Sequence, residues 1–227
     1  MIVTLKDLVL EYQMGDETLK ILDIPEWSVK KGGLIAVSGP SGSGKSTLLN
    51  IIAGLLLPTE GTVMVAGSEL TRLREAERDH FRADSIGYIF QNFNLLQGYT
   101  AIENVLLGMT FSTQKSNKET AQELLSMVGL SHRINHFPRE LSIGEQQRVA
   151  IARALSKQPE LILADEPTGS LDPLHTEEVI SKLREVSSKQ GCTLLLVSHE
   201  QSVVAEFEEQ ISFLELNQAF KQEEREA

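Results

Sequence analysis

Short apolar runs alternate with longer segments of helical periodicity along the 227 residues of the chain. This alternation is typical of a mostly parallel β-sheet covered by helices, which predicts an α/β fold. Each run is short, as expected for strands that are buried on both faces. We predict strands of the main sheet at 34–38, 86–90, 161–164, 193–197 and 211–216.

The N-terminal segment alternates apolar and polar residues, which favours a strand with one solvated face. Another short strand is predicted at 61–67, because this segment is apolar, is bounded by glycines and follows the turn signal Pro58-Thr59-Glu60. We therefore expect an antiparallel β region beside the main sheet.

The stretch 92–158 carries no strand signal. Helical patterns within it cover 101–107, 119–128 and 146–155. Ser142 and Glu145 have the spacing of a capping box, so a helix is predicted to begin at Ser142. We interpret 92–158 as a helical subdomain inserted into the α/β core.

A chain of this length is long enough for one substantial domain or for two very small ones, and we take one as the default. We predict a single domain, 1–227, in which 1–91 and 159–220 make up the α/β core. Within the core, Asp172-Pro173 suits the start of a helix that continues to about residue 188. The acidic segment 221–227 is predicted to be a solvated tail.

The composition is that of an ordinary globular protein, with 41% hydrophobic residues and a formal net charge of -11. This acidic balance argues against general binding to nucleic acid, which requires clustered Lys and Arg. The single cysteine, Cys192, has apolar neighbours that indicate a packed structural thiol. We find neither a signal-peptide pattern nor a run of about 18 apolar residues, so a membrane role requires a separate membrane subunit.

A glycine-rich segment after the strand at 34–38 fits the phosphate-binding pattern G-x-x-x-x-G-K-[ST]. Its glycines let successive N–H groups point at phosphate oxygens, and the helix that follows adds partial positive charge. Lys45 is expected to reach the β- and γ-phosphates, and the Ser46 hydroxyl to be a Mg²⁺ ligand. The residues expected to hold the nucleotide here are Gly39, Pro40, Ser41, Gly42, Ser43, Gly44, Lys45, Ser46 and Thr47.

The predicted strand 161–164 runs directly into two acids, Asp165 and Glu166. In parallel sheets ligands collect at the carboxyl ends of the strands, so both acids are expected to face the phosphates. Asp165 is predicted to hold Mg²⁺ through water, and Glu166 to act as general base on the attacking water. Two acids at a strand end are weak evidence alone, but they are strong evidence downstream of a phosphate-binding loop.

The segment LSIGEQQR at 141–148 resembles the signature motif of ABC ATPases. With it the order of motifs of that family is complete over essentially the whole chain, which implies a P-loop NTPase core that binds ATP and Mg²⁺. The remaining matches are Gln91 as the Q-loop glutamine, Ser170-Leu171-Asp172 as the D-loop, His199 as the switch histidine and Tyr12 as the ring against adenine.

This resemblance implies that two nucleotide-binding domains meet head to tail, so that the signature of one completes the phosphate site of the other. A helix that begins at Ser142 would present N–H dipoles and a hydroxyl to the γ-phosphate across the interface. Gln91 is implied to sense metal and nucleotide while touching the membrane subunit, and His199 to contact the γ-phosphate. The nucleotide contacts implied across the interface are Ser142, Gly144, Glu145 and Asp172.

The chain departs from the family pattern at Ile143, where the family usually has glycine, and at Glu145, which replaces the more frequent glutamine. A β-branched side chain beside the γ-phosphate is stiffer and bulkier than glycine, which would slow hydrolysis. Alternatively, the Ile143 side chain points away from the phosphate and is tolerated. The sequence leaves both interpretations open.

Residues 90–96 and 100–105 resemble the branch of the family that includes lipoprotein-releasing and macrolide-efflux ATPases. The resemblance implies transmembrane permease subunits with a large extracytoplasmic domain, and a cytoplasmic location on the inner face of the cell membrane. The aromatic and apolar residues after Gln91 would dock a cytoplasmic helix of the permease, or alternatively form the core of the helical subdomain.

Three functions are compatible with these motifs. The first is an ATPase subunit that drives export or extraction from a membrane. The second is a mechanotransmitting ATPase that regulates a membrane or cell-wall process without transport. The third, a soluble ABC protein that acts on DNA or ribosomes, is disfavoured because such relatives usually carry two nucleotide domains or long insertions.

Overall fold

The computed structural model of the chain describes residues 1–15, 17–111, 117–169, 171 and 173–220. The strands in chain order are β1 (Val3–Met14), β2 (Glu17–Val29), β3 (Leu34–Ser38), β4 (Glu60–Val65), β5 (Ser68–Glu69), β6 (Ile86–Ile89), β7 (Leu161–Asp165), β8 (Thr193–Ser198) and β9 (Glu209–Ser212). The helices are α1 (Lys45–Ile52), α2 (Glu75–Ser85), α3 (Ala101–Thr110), α4 (Lys118–Met127), α5 (Ile143–Leu155), α6 (Pro173–Gln190), α7 (Gln201–Val204) and α8 (Phe213–Leu216), with 3₁₀ turns at Leu70–Arg72 and Pro138–Glu140.

The strands form two sheets, a parallel one and an antiparallel one. The parallel sheet has the order β6-β7-β8-β3-β9, and the antiparallel sheet has the order β2-β1-β4-β5. In the parallel sheet Ser38 at the end of β3 pairs with Ser198 at the end of β8, and Asp165 at the end of β7 pairs with Val197. The segments that follow β3, β6, β7 and β8 therefore leave the sheet at one edge, which is where a ligand site is expected.

The parallel sheet is covered on both faces, and alternate residues of its strands face different halves of the core. In β7, Leu161 and Leu163 pack with the antiparallel sheet and α1, whereas Ile162 and Ala164 pack with α3, α4, α5 and α6. All six residues of β8 are buried. This two-sided burial explains why these strands read as continuous apolar runs rather than as alternating ones.

The antiparallel sheet requires glycine at one close approach. Gly61 in β4 has φ 92, and a Cβ there would lie 2.2 Å from the backbone oxygen of Asp7. Asp7 itself has φ 50, at an irregularity in the pairing of β1 with β4. Only a residue without a side chain fits at position 61.

The predicted helix that begins after Ser142 is confirmed as α5, and the strands predicted at 34–38, 86–90, 161–164 and 193–197 are confirmed to within a residue. No strand lies between β6 and β7 in the part of the chain that the structure describes. None of the helices in the described ranges is long and apolar enough to cross a membrane. The tail 221–227, Ser170 and Asp172 lie outside the described residues.

The prediction of a strand over 211–216 is wrong at 213–216, where the chain forms the short helix α8. Phe213 and Asn217 are both fully buried four residues apart, which is the spacing of one helix face. The backbone N–H of Asn217 donates to the Phe213 carbonyl at 2.8 Å. Helix α2 was not predicted, because it buries no residue and so shows no apolar periodicity.

Candidate nucleotide-binding and hydrolysis site

The phosphate-binding loop lies between β3 and α1, as its sequence predicts. Gly42 has φ 78 and Gly44 has φ 96, which is left-handed backbone that glycine adopts without strain. Gly44 is the N-cap of α1 and makes no side-chain cap. The first N–H groups of α1 are therefore available to an anion, and the helix dipole favours one there.

Lys45 is buried, with 5% of its surface exposed, and its ammonium group lies across the loop. Nζ donates to the carbonyl oxygens of Gly39 and Pro40, each at 2.8 Å. The same nitrogen lies 3.5 Å from Oε1 of Glu166. A cation is thus held between the backbone of the loop and the acid that follows β7.

The Ser46 hydroxyl donates to Oδ1 of Asp165 at 2.8 Å, which joins the start of α1 to the end of β7. Burial raises the pKa of Asp165 above its ordinary value, and the hydrogen bond from Ser46 partly opposes this rise. The charge of Glu166 raises the pKa of Asp165 further, and Lys45 lowers it. A partly desolvated carboxylate beside a hydroxyl oxygen is stabilised by a cation.

Ser46, Asp165 and Gln91 offer the oxygen ligands that Mg²⁺ prefers, namely a hydroxyl, a carboxylate and an amide. The described ranges contain no group of three or more His, Cys, Asp or Glu that could hold a metal ion by itself. This ligand set fits Mg²⁺ that is held jointly by the protein, water and nucleotide phosphates, as is usual for this ion in phosphoryl-transfer sites.

Glu166 is 8% exposed and has φ 45, a left-handed backbone that is uncommon for a residue with a side chain. Its Oε2 accepts hydrogen bonds from Ser198 Oγ and from the backbone N–H of His199, both at 3.3 Å. The imidazole Nδ1 of His199 lies 2.8 Å from the same oxygen. These contacts arise because β7 and β8 are neighbours, so that the residues after each strand meet.

A cavity of about 310 Å³ lies between these groups. It brings together most of the residues predicted to bind nucleotide. Its lining residues are Tyr12, Ile21, Ser41, Gly42, Ser43, Gly44, Lys45, Ser46, Thr47, Gln91, Glu166 and His199. Gly39 and Pro40 line an adjoining cavity that His199 also borders.

The signature residues Ser142, Gly144 and Glu145 do not line the nucleotide cavity of their own chain. Ser142 Oγ accepts from the backbone N–H of Glu145 at 3.2 Å, and Glu145 Oε2 accepts from the backbone N–H of Ser142 at 2.8 Å. Arg133 Nε donates to the other Glu145 oxygen at 3.1 Å. Ile143 is 51% exposed beside this cap.

Two residues of the site were missed by sequence reasoning. Ser198 donates to Glu166, and its position in the segment Val197-Ser198-His199 after a buried strand was the available signal. Ile21 lines the nucleotide cavity from β2, and its strand was not outlined from the sequence. No local signal indicates Ile21, because its approach to the loop depends on how two distant segments pair.

The family model of ABC transporters matches residues 22–169, which is more than half of the chain. The chain belongs to the ABC transporter family. Its phosphate-binding loop, its Asp165-Glu166 pair and its signature segment lie within the matched range.

Several curated ABC proteins are similar to this chain over most of its length. The lipoprotein-releasing system ATP-binding protein LolD of Geobacter metallireducens is 45% identical over 88% of the chain and 89% of that protein. The uncharacterized ABC transporter ATP-binding protein MJ0796 of Methanocaldococcus jannaschii is 40% identical over 97% of the chain and 96% of that protein.

The macrolide export ATP-binding/permease protein MacB of Rhodopirellula baltica is 40% identical over 90% of the chain. The match covers 30% of MacB, so this ABC chain spans less than a third of the length of that relative.

Two solved structures of the MJ0796 cassette share the fold of this ABC chain. A dimer in a post-hydrolysis state, bound to ADP and Pi, superposes with a TM-score of 0.85 at 39% identity, over 96% of this chain and 95% of that one. A second dimeric structure gives a TM-score of 0.84 at 40% identity, over 92% and 93% of the two chains.

Proposed function

We propose that this ABC ATPase subunit hydrolyses ATP and powers export or extraction from a membrane through a partner permease. The observation that carries the proposal is the Glu166 carboxylate, held by Ser198 and His199 at the edge of a cavity that the phosphate-binding loop lines. A fixed acceptor that faces the phosphate site is what general-base catalysis on a water molecule requires.

The triphosphate lies along the loop, where the N–H groups at the start of α1 and the Lys45 ammonium neutralise its charge. Tyr12, which is 45% exposed at the end of β1, offers a ring face on which adenine stacks. Ser46, Asp165 and Gln91 would hold Mg²⁺, which would supply positive charge against the charge that develops on the phosphates.

Hydrolysis transfers the γ-phosphoryl group to water. The water oxygen forms a bond to the γ-phosphorus while the bond from that phosphorus to the β–γ bridging oxygen breaks, which leaves ADP and phosphate. Glu166 accepts the proton that the water loses. His199 orients the Glu166 carboxylate and contacts the γ-phosphate as the transferring group moves.

A second copy of the chain, placed head to tail, completes each site. The proposal is supported by the position of Ser142 and Gly144 at the start of α5, outside the cavity of their own chain. It is also supported by the dimeric form of the related MJ0796 cassettes. The Ser142 hydroxyl and the N–H groups beside Gly144 would then meet the γ-phosphate bound by the partner copy, and Glu145 and Asp172 would complete that nucleotide site.

The permease partner is proposed to carry a large extracytoplasmic domain and to dock beside the segment after Gln91. Leu95 is 8% exposed and Phe93 packs against the same buried cluster, so these two belong to the core. Leu96 and Tyr99 are 49% and 45% exposed and are free to meet a helix of the permease. A permease partner is supported by the name of MacB, a macrolide export ATP-binding/permease protein, and by that of LolD, the ATP-binding protein of a lipoprotein-releasing system.

The test is co-purification from the native membrane in mild detergent, followed by ATPase assays of the complex and of the chain alone. We expect a permease with a large external domain to be retained and to stimulate hydrolysis. The substitution Leu96→Asp should lose this permease, whereas Met14→Asp, at another exposed apolar side chain, on the β1–β2 hairpin, should keep it. A chain that hydrolyses ATP but retains no membrane protein would contradict the transport part of the proposal.

A further inference from the structure

Two consecutive residues after Gln91 have left-handed backbone conformations. Phe93 has φ 58 and Asn94 has φ 49. Asparagine tolerates this region, but a bulky residue such as phenylalanine adopts it only when its surroundings require it. Some other part of the molecule must therefore hold this segment in place.

Arg153, near the end of α5, contacts both residues. Its NH1 donates to the carbonyl oxygen of Asn94 and its NH2 donates to that of Phe93, each at 2.6 Å. The guanidinium group presents its N–H donors in a rigid planar fork, so it fixes the two carbonyls relative to each other. A lysine at this position would offer a flexible point charge instead.

The stem of Arg153 is itself confined by α3. A Cβ at Gly108 would lie 3.0 Å from Cγ of Arg153 and 2.8 Å from its backbone oxygen. The absence of a side chain at position 108 therefore lets α3 lie directly against Arg153. This close contact with α3 restricts the Arg153 side chain while its guanidinium group donates to the two carbonyls.

We propose that Arg153 is a positioning residue for Gln91, because it ties the signature helix α5 to the segment that leaves the nucleotide cavity at Gln91. Ser142, the N-cap of this helix, lies about 16 Å along the helix axis from Arg153 at 1.5 Å per residue. A movement of α5 that accompanies closure of the signature onto a partner's nucleotide is transmitted through Arg153 to Gln91. This inference rests on the proposed function, in which Gln91 acts on the metal and nucleotide.

The first test is the substitution Arg153→Met, which keeps most of the stem and removes both donors. Because Gln91 acts in the reaction and the phosphate-binding loop is untouched, kcat for ATP hydrolysis should fall about 10-fold while KM changes less than about 2-fold. Arg184→Met is the matched control, since Arg184 pairs with Glu206, two residues after the end of α7, at 3.0 Å and does not line the nucleotide cavity. Its kcat should remain that of the unmodified chain.

The second test is rescue by glycine. Asn94 is exposed, so Asn94→Gly removes no buried contact, and glycine adopts φ near 49 without strain. In the Arg153→Met background this change should restore kcat at least about 3-fold, whereas alone it should have little effect. Strictly additive effects would overturn the inference, because a merely structural role of Arg153 in the helical region gives no rescue at position 94.

Gln91→Ala separates failure of the inference from failure of the proposed function. If Gln91→Ala abolishes hydrolysis and Arg153→Met leaves kcat unchanged, the proposed function stands and the role of Arg153 is wrong. If Gln91→Ala itself leaves hydrolysis unchanged, both the role of Gln91 and the inference are wrong. Should Arg153→Met fail to fold, Arg153→Lys takes its place, with a smaller loss of kcat expected and the same rescue by Asn94→Gly.

Discussion

Nδ1 of His199 lies 2.8 Å from Oε2 of Glu166. Since a carboxylate only accepts hydrogen bonds, Nδ1 carries the proton of this contact. The same oxygen accepts from Ser198 and from the backbone N–H of His199, so residues at the end of β8 orient the acid at the end of β7. The geometry of the proposed general base thus depends directly on the pairing of two parallel strands.

His199→Ala should reduce kcat about 100-fold, because it removes the shortest contact to the proposed general base and the group proposed to contact the γ-phosphate. ATP binding should change little. The comparison is His132→Ala, which alters an exposed histidine that does not line the nucleotide cavity. Steady-state ATPase kinetics of the two variants test the prediction, and equal rates would refute it.

Lys45→Ala should weaken ATP binding between about 10- and 100-fold, since it removes a charge-assisted contact to the phosphates. Lys31→Ala is the control, because Lys31 is an exposed lysine that pairs with Glu160 at the opposite end of the sheet. Equilibrium binding of a fluorescent ATP analogue measures the affinity of both variants. An unchanged affinity of Lys45→Ala for ATP would contradict the assignment of this loop to the phosphate-binding site.

Asp165→Asn should raise the melting temperature of the nucleotide-free, Mg²⁺-free chain at neutral pH. Burial raises the pKa of Asp165 in the folded chain, so folded-state stability falls as pH rises from the ordinary value of 3.8 through the raised pKa. The neutral amide avoids this loss. The gain should therefore disappear as the pH falls below 3.8.

Thermal unfolding at several pH values, followed by circular dichroism, measures the effect of Asp165→Asn. Addition of ATP and Mg²⁺ should reverse the order of the two melting temperatures, because the carboxylate then has a cation to bind. An unmodified chain that is more stable than the variant without ligand at neutral pH would contradict the assignment of Asp165.

Ile143→Gly should change the rate of hydrolysis by less than about 2-fold, as is usual for a surface position. Ile143 is 51% exposed, and the start of α5 is fixed by the reciprocal bonds of Ser142 and Glu145 rather than by residue 143. The assay is ATPase activity of the two chains. A rise of about 10-fold or more would show that the β-branched side chain obstructs the site.

The phosphate-binding loop and the buried strands could be predicted because their signals are local. Gly44, Lys45 and Ser46 follow one apolar run in sequence, and Asp165 ends another. The contacts of Glu166 with Ser198, and of Arg153 with Phe93, could not be predicted. They depend on which strands and helices become neighbours, and no short segment of the sequence encodes that pairing.

The end of the chain shows a second limit of sequence reasoning. Residues 211–216 are mostly apolar and therefore fit a strand, but tertiary contacts override that pattern. The buried Asn217 accepts from the backbone N–H of Asp23 at 2.8 Å and donates to the carbonyl of Ile21 at 2.9 Å. These bonds to β2 favour the helical turn of α8 over a longer β9.

Single-turnover ATP hydrolysis by Glu166→Gln tests the central assignment most directly. Glu160→Gln is the matched control, because Glu160 immediately precedes the same strand, at its other end. We expect Glu166→Gln to bind ATP, to hydrolyse it at least about 100-fold more slowly and to accumulate as an ATP-dependent dimer, while Glu160→Gln behaves as the unmodified chain. Hydrolysis at the unmodified rate in Glu166→Gln would contradict the role of this carboxylate as the general base.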